Sequence, residues 1–406
     1  MGDALVKSTS ERSYERGRER GAAFLAGPHP RLAMSKARGI ARQLGWPLEM
    51  LVEKVAAYDR ERIDAMPDLI RYPELRGSRD QIEAGDRGMR YAGVSNEMIA
   101  LHRTLDFFLL TRLYEQTGRA YYAEPGVEEC RVLYVPDSEV GPVHAKNVDG
   151  PLDGWEPILP TPPGTPWFWN HPIVLDGVGS GLHIDEVPPE IFPVNIYDLC
   201  YDNCATLSEA TELLTRYNYF WGHGNLLVRD NHGNSMAFEK TQCRIATRGP
   251  NRHGMNFISG MGALDPGIRE HQRRMRQKYL DQVGRDWDGS EGRFWRESDQ
   301  TYANMAMYVE RLPARPTLRE INELMERHDP GGPLCYIGEK THPQQPGCWT
   351  VEMRVFLLDE YKLIRRQVRD RRPAYLDEPE VISFQPPKSA PVRLQTGDLT
   401  PTEAVS

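Results

Sequence analysis

Residues 129–149 read ECRVLYVPDSEVGPVHAKNVD, two short runs of strand-forming residues around a polar turn. Valine, leucine and tyrosine fill the first run, and the Asp, Ser and Gly between the runs are residues that favour turns. A turn centred near residues 138–139 brings Lys146 to Asp149 back opposite Cys130. Paired strands lie ~4.8 Å apart, so a thiol, a cation, an amide and a carboxylate are expected to meet at one end of a hairpin.

Cys130 is the candidate nucleophile of this hairpin. A thiol attacks as the thiolate, so it needs a base to take its proton and a positive charge or hydrogen-bond donors to hold the anion. The spacing alone leaves a second interpretation equally open, in which Cys130 is a small core residue and the polar residues that follow the second run form a loop.

The hairpin resembles the nucleophile hairpin of the acyl-coenzyme A:6-aminopenicillanic acid acyltransferases, a family related to choloylglycine hydrolases and acid ceramidase-type amidases. The shared pattern is a Cys followed sixteen residues later by Arg, Gln or Lys, then Asn, any residue and Asp. Here these positions are Cys130, Lys146, Asn147 and Asp149. Such proteins are N-terminal nucleophile hydrolases, which cut themselves just before the Cys and use the new N-terminal Cys for catalysis.

Other motifs follow the family's order from about residue 11 to about residue 370. They are Tyr-Glu-Arg-Gly-Arg-x-x-Gly at 14–21, Glu-Leu-Arg-Gly at 74–77, Ala-Gly-Val-Ser at 92–95 and Leu-x-x-Asp-x-x-Gly-x-x-x-x-x-Glu at 227–239. Two positions depart from the family pattern. Glu129 precedes the Cys where the family has a small residue, and Arg131 follows it where the family has Thr or Ser.

The resemblance implies an α+β fold, a four-layer αββα sandwich of two antiparallel sheets flanked by helices. It also implies three segments. Residues 1–129 are a helical precursor segment that becomes the smaller chain after self-cleavage, and residues 130–372 are the catalytic segment with its N-terminal Cys. Residues 373–406 are rich in proline and polar residues, a composition typical of an extended or disordered tail.

The resemblance also assigns roles. Cys130 is the nucleophile, and its own freed α-amine, with a pKa of about 8, is the general base. Asp149 orients that amine, and Lys146 places a positive charge beside the thiolate or the leaving group, without the planar fork of an arginine. Asn256 matches an Asn that lines the family's active site and is expected to support the oxyanion. The predicted function is a self-processing cysteine amidohydrolase or acyltransferase that acts on a linear amide through an acyl-thioester.

The composition of the chain limits the kinds of partner that it is expected to bind. Lys plus Arg is 50 against 58 for Asp plus Glu, a net charge of −8 without a basic stripe, which argues against nucleic-acid binding. No apolar run reaches the eighteen or so residues of a membrane span, and the polar start does not read as a secretory signal. Six scattered cysteines suit a reducing cytoplasm. We expect no cofactor, a small-molecule amide or acyl-thioester substrate, and a possible heterodimer of the chain's own cleaved parts.

Two alternatives remain open on the sequence. In one, the fold stays uncleaved and serves as a binding or scaffold protein, which the residues flanking Cys130 favour. In the other, Cys130 is an internal thiol with His144 or His253 as its base, as in a Cys–His protease. The Trp-rich, Pro-rich stretch 150–172 is expected to be a loop over a pocket and hints at an apolar or aromatic acyl group.

Overall fold

The computed structural model describes residues 2–26, 29–69, 78–113, 130–151, 172–178, 192–195, 200–201, 204–216, 220–221, 224–241, 244–260, 262–284, 286, 288–338, 348–369 and 372–384. In these ranges the α-helices are α1 (Gly2–Ala26), α2 (His29–Leu44), α3 (Leu48–Leu69), α4 (Ser78–Tyr91), α5 (Asn96–Phe108), α6 (Leu207–Arg216), α7 (Pro266–Val283), α8 (Ser290–Arg311) and α9 (Leu318–Met325). The strands are β1 (Arg131–Val135), β2 (Val143–Pro151), β3 (Ile173–Val178), β4 (Phe192–Asn195), β5 (Phe220–Trp221), β6 (Asn225–Asp230), β7 (Ser235–Lys240), β8 (Ile245–Arg248), β9 (Asn256–Ser259), β10 (Cys348–Leu357), β11 (Lys362–Gln367) and β12 (Glu380–Ser383).

The segment before Cys130 is helical in its described part, as predicted. Helices α2, α3 and α5 share a buried apolar cluster that includes Ile40, Leu51, Val55 and Leu105. Helices α1 and α4 approach closely because glycines face each other. A Cβ on Gly17 would overlap the backbone carbonyl of Gly85. The glycine spacing in the sequence therefore marks a close helix–helix contact.

The larger sheet contains the hairpin of interest. Its strand order is β12-β11-β10-β2-β1-β9, and all its pairings are antiparallel. Arg131 lies opposite Asn147, so the register places Cys130 at the level of residues 146–149. Ser138 and Gly141 close the turn with two backbone hydrogen bonds of 3.1 Å, and Gly141 takes the left-handed φ of 82° that glycine tolerates. The predicted turn and return strand are confirmed.

The smaller sheet has the order β3-β6-β7-β8, also antiparallel. Its central hairpin, β6 and β7, carries the motif quoted above at 227–239. In its turn, Asp230 accepts hydrogen bonds from the backbone N–H groups of His232 (2.9 Å) and Asn234 (3.0 Å). The short strands β4 and β5 form a separate parallel pair.

The two sheets pack face to face with helices outside. Val132, Tyr134, Val174, Leu227 and Ile258 belong to a buried cluster between the sheets. On the outer face of the larger sheet, α8 and α9 cover a second cluster, and α6 covers the outer face of the smaller sheet. The predicted αββα sandwich is confirmed.

Residues 373–384 lie inside the segment 373–406 that was expected to be an extended or disordered tail, but they form regular structure instead. They include β12, which pairs with β11 at the edge of the larger sheet. Val381 is 58% exposed, so this strand is held by backbone hydrogen bonds with little apolar burial. The composition that suggested a tail reflects this exposure.

Candidate active site

Cys130 stands at the entrance to the space between the two sheets. It immediately precedes β1, and its carbonyl accepts a 2.9 Å hydrogen bond from the N–H of Gly260. Its side chain is partly exposed and packs at the margin of the cluster between the sheets, on the same face of β1 as Val132. Cys130 is therefore held at the start of a strand that is paired on both sides, and the residue is partly exposed to solvent.

Lys146 lies on this same face, opposite Val132. Its Nζ donates to Asp176 Oδ1 at 2.5 Å and to the carbonyl of Gly177 at 3.2 Å, both on β3 of the other sheet. Lys146 thus lies on the face that carries Cys130, and its role beside the thiolate stays a prediction. Its charge is paired with a carboxylate that the sequence did not reveal.

Asp176 also contacts His144, whose Nε2 lies 2.9 Å from Asp176 Oδ2. Burial lowers the pKa of His144, although Asp176 opposes this shift. Burial alone would raise the pKa of Asp176, but the charge of Lys146 and the hydrogen bond from His144 hold it well below its usual range. Asp176 is therefore an ionised link between the sheets.

Neither candidate histidine base is brought to Cys130. His144 pairs with Tyr134, four residues along β1, which corresponds to roughly 13 Å of strand. His253 lies in the turn before Asn256, and Asn256 also pairs with Tyr134. Both histidines thus lie toward the far end of the hairpin, and no described contact supports a Cys–His pair.

Arg354 is a charged neighbour of Cys130 that sequence reasoning missed. It pairs with Lys146 across β10 and β2, and its Nη2 donates to Glu352 Oε2 at 2.7 Å. Burial alone would lower the pKa of Arg354, but Glu352, Asp176 and Cys130 together raise it. The sequence signal was present: Glu352 and Arg354 are charged residues two apart in an otherwise apolar strand.

Asp149 reaches the Cys130 end of the hairpin, but its carboxylate lies on the helix-covered face of the sheet. Its Oδ2 pairs with Arg131 Nη1, and its Oδ1 accepts a 2.5 Å hydrogen bond from Thr350 Oγ1. The guanidinium of Arg131 stacks 4.2 Å from the ring centroid of Tyr336. The role of Asp149 beside the amine stays a prediction, and the contacts with Arg131 and Thr350 must enter any account of it.

Asn256 is not brought together with Cys130. It pairs with Tyr134, and its Oδ1 accepts from Arg248 Nη1 at 3.2 Å. Its oxyanion role also stays a prediction, without a supporting contact. A different buried amide holds the backbone segment that bonds the carbonyl of Cys130. Asn225 Nδ2 donates to the carbonyls of Ser259, Gly260 and Gly262 at 3.1, 3.3 and 2.7 Å, and so fixes the end of β9 that bonds Cys130.

Several predicted features lie outside the described residues. They are Glu129, residues 152–171 of the Trp-rich stretch and the terminal residues 385–406. Among the residues that the structure does describe, no three His, Cys, Asp or Glu side chains are grouped to hold a metal ion. None of the described helices combines the length and the apolar character that a membrane crossing requires.

Comparisons with known proteins show a distant likeness to solved structures. No protein-family model and no curated protein matches the sequence. Among solved structures, the chain is similar to penicillin V acylase from Agrobacterium tumefaciens, with a TM-score of 0.32 and 11% sequence identity over 65% of this chain and 80% of that chain. A similarity of this size carries no argument about the fold or the reaction of this chain. The fold follows from the layers and strand pairings described above.

Proposed function

We propose that this chain is a self-processing cysteine amidohydrolase or N-acyltransferase of the N-terminal nucleophile type. The observation that carries the proposal is the position of Cys130. The partly exposed Cys130 directly precedes β1, an inner strand of the larger sheet of an αββα sandwich, with Lys146 and Arg354 on the same face of that sheet. A thiol at the head of a strand can become a chain terminus without breaking the sheet.

Processing begins with attack of Cys130 Sγ on the carbonyl carbon of residue 129. The peptide C–N bond breaks, a thioester forms, and the proton from sulfur passes to the departing nitrogen, which becomes the α-amine. Water then attacks the thioester, the C–S bond breaks, and residue 129 leaves with a carboxylate. The products are a smaller chain of residues 1–129 and a larger chain that begins with Cys130.

In the mature protein the α-amine takes the thiol proton, and the thiolate attacks a linear amide. The amide C–N bond breaks, the leaving amine takes the proton from the ammonium, and an acyl-thioester remains on Cys130. Water, or a second amine, then takes the acyl group and restores the thiol. Lys146 and Arg354 supply the positive charge beside the thiolate, and Asp149 acts on the α-amine.

Asn256 was predicted to donate the hydrogen bond that stabilises the oxyanion in this scheme. Loss of one well-aimed donor costs roughly 10²–10³-fold in kcat. We therefore expect Asn256→Ala to lower kcat by that factor if Asn256 is the donor. The position of Asn256 opposite Tyr134 makes Asn225→Ala the variant to compare with it.

The two chains are proposed to stay together after cleavage. Ile82 of α4 packs against the apolar cluster on the outer face of the smaller sheet. The smaller chain thus supplies part of the cover of a sheet that belongs to the larger chain. A non-covalent heterodimer follows, with a small-molecule amide as substrate.

Intact mass and N-terminal sequencing of the purified protein test the proposal. We expect two fragments, the larger of which begins at Cys130, and release of 4-nitroaniline from an N-acyl-4-nitroanilide. Cys130→Ala should give one uncleaved, inactive chain. Cys204→Ala removes a buried thiol on the outer face of the other sheet and should be cleaved like the wild type.

Two results would contradict the proposal. A wild-type chain that stays intact and inactive, indistinguishable from Cys130→Ala, would leave a binding or scaffold role. An intact chain whose amidase activity still depends on Cys130 would instead favour an internal thiol.

A further inference from the structure

Arg131, the residue directly after Cys130, has no exposed side-chain surface, and it is used to hold Asp149. The two residues form an ion pair whose side chains are both 0% exposed. The flat face of the guanidinium lies on the ring of Tyr336, 4.2 Å from its centroid. Charged residues are almost never fully buried unless they are paired, so this pair is a built feature of the site.

Asp149 is fixed from its other side as well. Thr350 Oγ1 donates to Asp149 Oδ1 at 2.5 Å, and the same hydroxyl accepts from the N–H of Tyr336 at 2.8 Å. Both carboxylate oxygens therefore have a partner. Because Asn147 lies opposite Arg131 in the register, Asp149 stands just past the level of Cys130, where a nearby charge affects the nitrogen of Cys130.

We propose that Arg131 is a positioning residue that acts through Asp149: it neutralises this carboxylate and so keeps a fraction of the α-amine freed at Cys130 unprotonated near neutral pH, available as the base for the thiol. The inference rests on the proposed self-cleavage. It gives a function to Arg131, one of the two residues that depart from the pattern of the family that the sequence resembles.

Among the described residues, the charged side chains at this end of the hairpin form three ion pairs. They are Arg131 of β1 with Asp149 of β2, Lys146 of β2 with Asp176 of β3, and Arg354 with Glu352, both of β10. The connection before β10 adds Tyr336 and Cys335, and burial raises the pKa of Cys335 to about 12, so this thiol is neutral.

An amine in balanced surroundings keeps a pKa near the ordinary α-amino value of about 7.7–8.0. Without Arg131, the carboxylate of Asp149 would be unopposed and would favour the ammonium form, which cannot act as a base. With Arg131 and no carboxylate, the excess positive charge would favour the neutral amine. The two residues therefore act in opposite directions on one proton.

The test is a titration of the α-amine of Cys130 in the cleaved protein. Thiols are blocked with methyl methanethiosulfonate, and the rate of acetylation by acetic anhydride at the N-terminal peptide is followed by mass spectrometry from pH 6 to pH 10. A unit charge several ångströms away shifts such a midpoint by about one pH unit. We expect Arg131→Met to raise the midpoint, Asp149→Asn to lower it, and Arg131→Lys, which keeps the charge, to leave it near the wild-type value.

The control is an arginine in the same sheet with a similar degree of burial. Arg365 is 8% exposed and donates to Glu380 Oε2 at 2.7 Å. Arg365→Met should lose stability without moving the midpoint. The inference is overturned if Arg131→Met titrates like the wild type, or if the control shifts by the same amount.

A variant that does not fold leaves the inference testable. If Arg131→Met is not recovered, the double variant Arg131→Met/Asp149→Asn is compared with Asp149→Asn. We expect the double variant to titrate back toward the wild type, and equal midpoints would overturn the inference. Intact mass separates the two levels: a wild-type chain without a new N-terminal Cys130 refutes the proposed function and this inference together, whereas a cleaved chain with an unmoved midpoint refutes only the inference.

Discussion

Replacing Lys146 by Met should lower the free energy of unfolding by about 3–5 kcal/mol, because it leaves a buried carboxylate without its cation. Lys146 on β2 reaches across to Asp176 on β3, with Nζ 2.5 Å from Oδ1, and the two side chains are 16% and 11% exposed. The ion pair thus joins the two sheets. Met keeps the length of the apolar stem, so the loss reports the missing charge more than a cavity.

The expected size follows from this geometry. At 2.5 Å and an effective dielectric constant near 20, the attraction is about 7 kcal/mol, and the cost of removing both charges from water offsets most of it. His144 still donates to Asp176 in the variant, which favours the lower part of the range. A double-mutant cycle with Asp176→Asn should give a coupling energy of about 2–3 kcal/mol.

Urea unfolding of the two single variants and the double variant measures this coupling. The control is Lys362→Met, which breaks an exposed pair with Glu360 at 2.6 Å, with side chains 40% and 38% exposed, and should cost less than about 1 kcal/mol. If the Lys146–Asp176 cycle gives a coupling no larger than that of this control, the ionic link between the sheets is refuted.

The effect should also depend on pH in a defined direction. The folded-state pKa of Asp176 is lowered, so its stabilising contribution is present above its unfolded pKa of about 3.9 and is lost as pH falls through the folded value. The difference between wild type and Lys146→Met should therefore be largest near pH 7 and should shrink below about pH 4.

Three further outcomes are expected. Because burial lowers the pKa of His144, the unfolded chain binds more protons below about pH 6.5, so the wild type should lose stability from pH 7 to pH 5 and His144→Gln should flatten this loss in urea midpoints. Gly17→Ala, which meets a backbone carbonyl, should cost about 1–3 kcal/mol, whereas Gly39→Ala, which meets nothing within 4 Å in α2, should stabilise by about 0.5–1 kcal/mol in thermal unfolding. Iodoacetamide at pH 7.5 should spare Cys335 in the native protein, since burial raises its pKa to about 12, and should label it in urea, whereas Cys130 should react in the native protein.

The part of the fold that turn chemistry controls was predictable from the sequence. The turn residues between β1 and β2 fix the hairpin register, because the length and type of a turn determine which residues pair. Arg131 pairs with Asn147, which agrees with the predicted return of residues 146–149 opposite Cys130. The same rule applies to β6 and β7, where alternating apolar residues flank a turn that contains Gly233.

Positions that depend on pairing between distant segments were not predictable. Asn256 lies on β9, which pairs with β1 but follows the strands of the second sheet in the sequence. No local signal sets a register between such distant segments. The structure brings Gly260, not Asn256, to Cys130. Asp176 and Arg354 were missed for the same reason, since β3 and β10 reach the site from remote parts of the sequence.

Sheet geometry explains why correct spacing was not enough for Asp149. Side chains alternate between the two faces of a strand, so Lys146 and Asp149, three residues apart, project to opposite faces. Lys146 shares the face of the thiol, and Asp149 meets Arg131 and Thr350 beneath the helices. The residues of one sequence motif therefore lie on two faces of the sheet. Lys146 lies on the face of the sulfur, and Asp149 forms its buried pair with Arg131 on the opposite face.

This division gives the departure at position 131 a physical meaning. A threonine there could donate to a carboxylate but could not balance its charge, whereas Arg131 both fills the space against Tyr336 and cancels the charge of Asp149. Lys146 pairs with Asp176 of the facing sheet and Arg354 pairs with Glu352 of its own strand, so neither cation is available to balance the charge of Asp149. The electrostatic balance at Cys130 thus depends on three separate pairs, and removal of either member of the buried pair should alter the chemistry at Cys130 from the opposite side of the sheet.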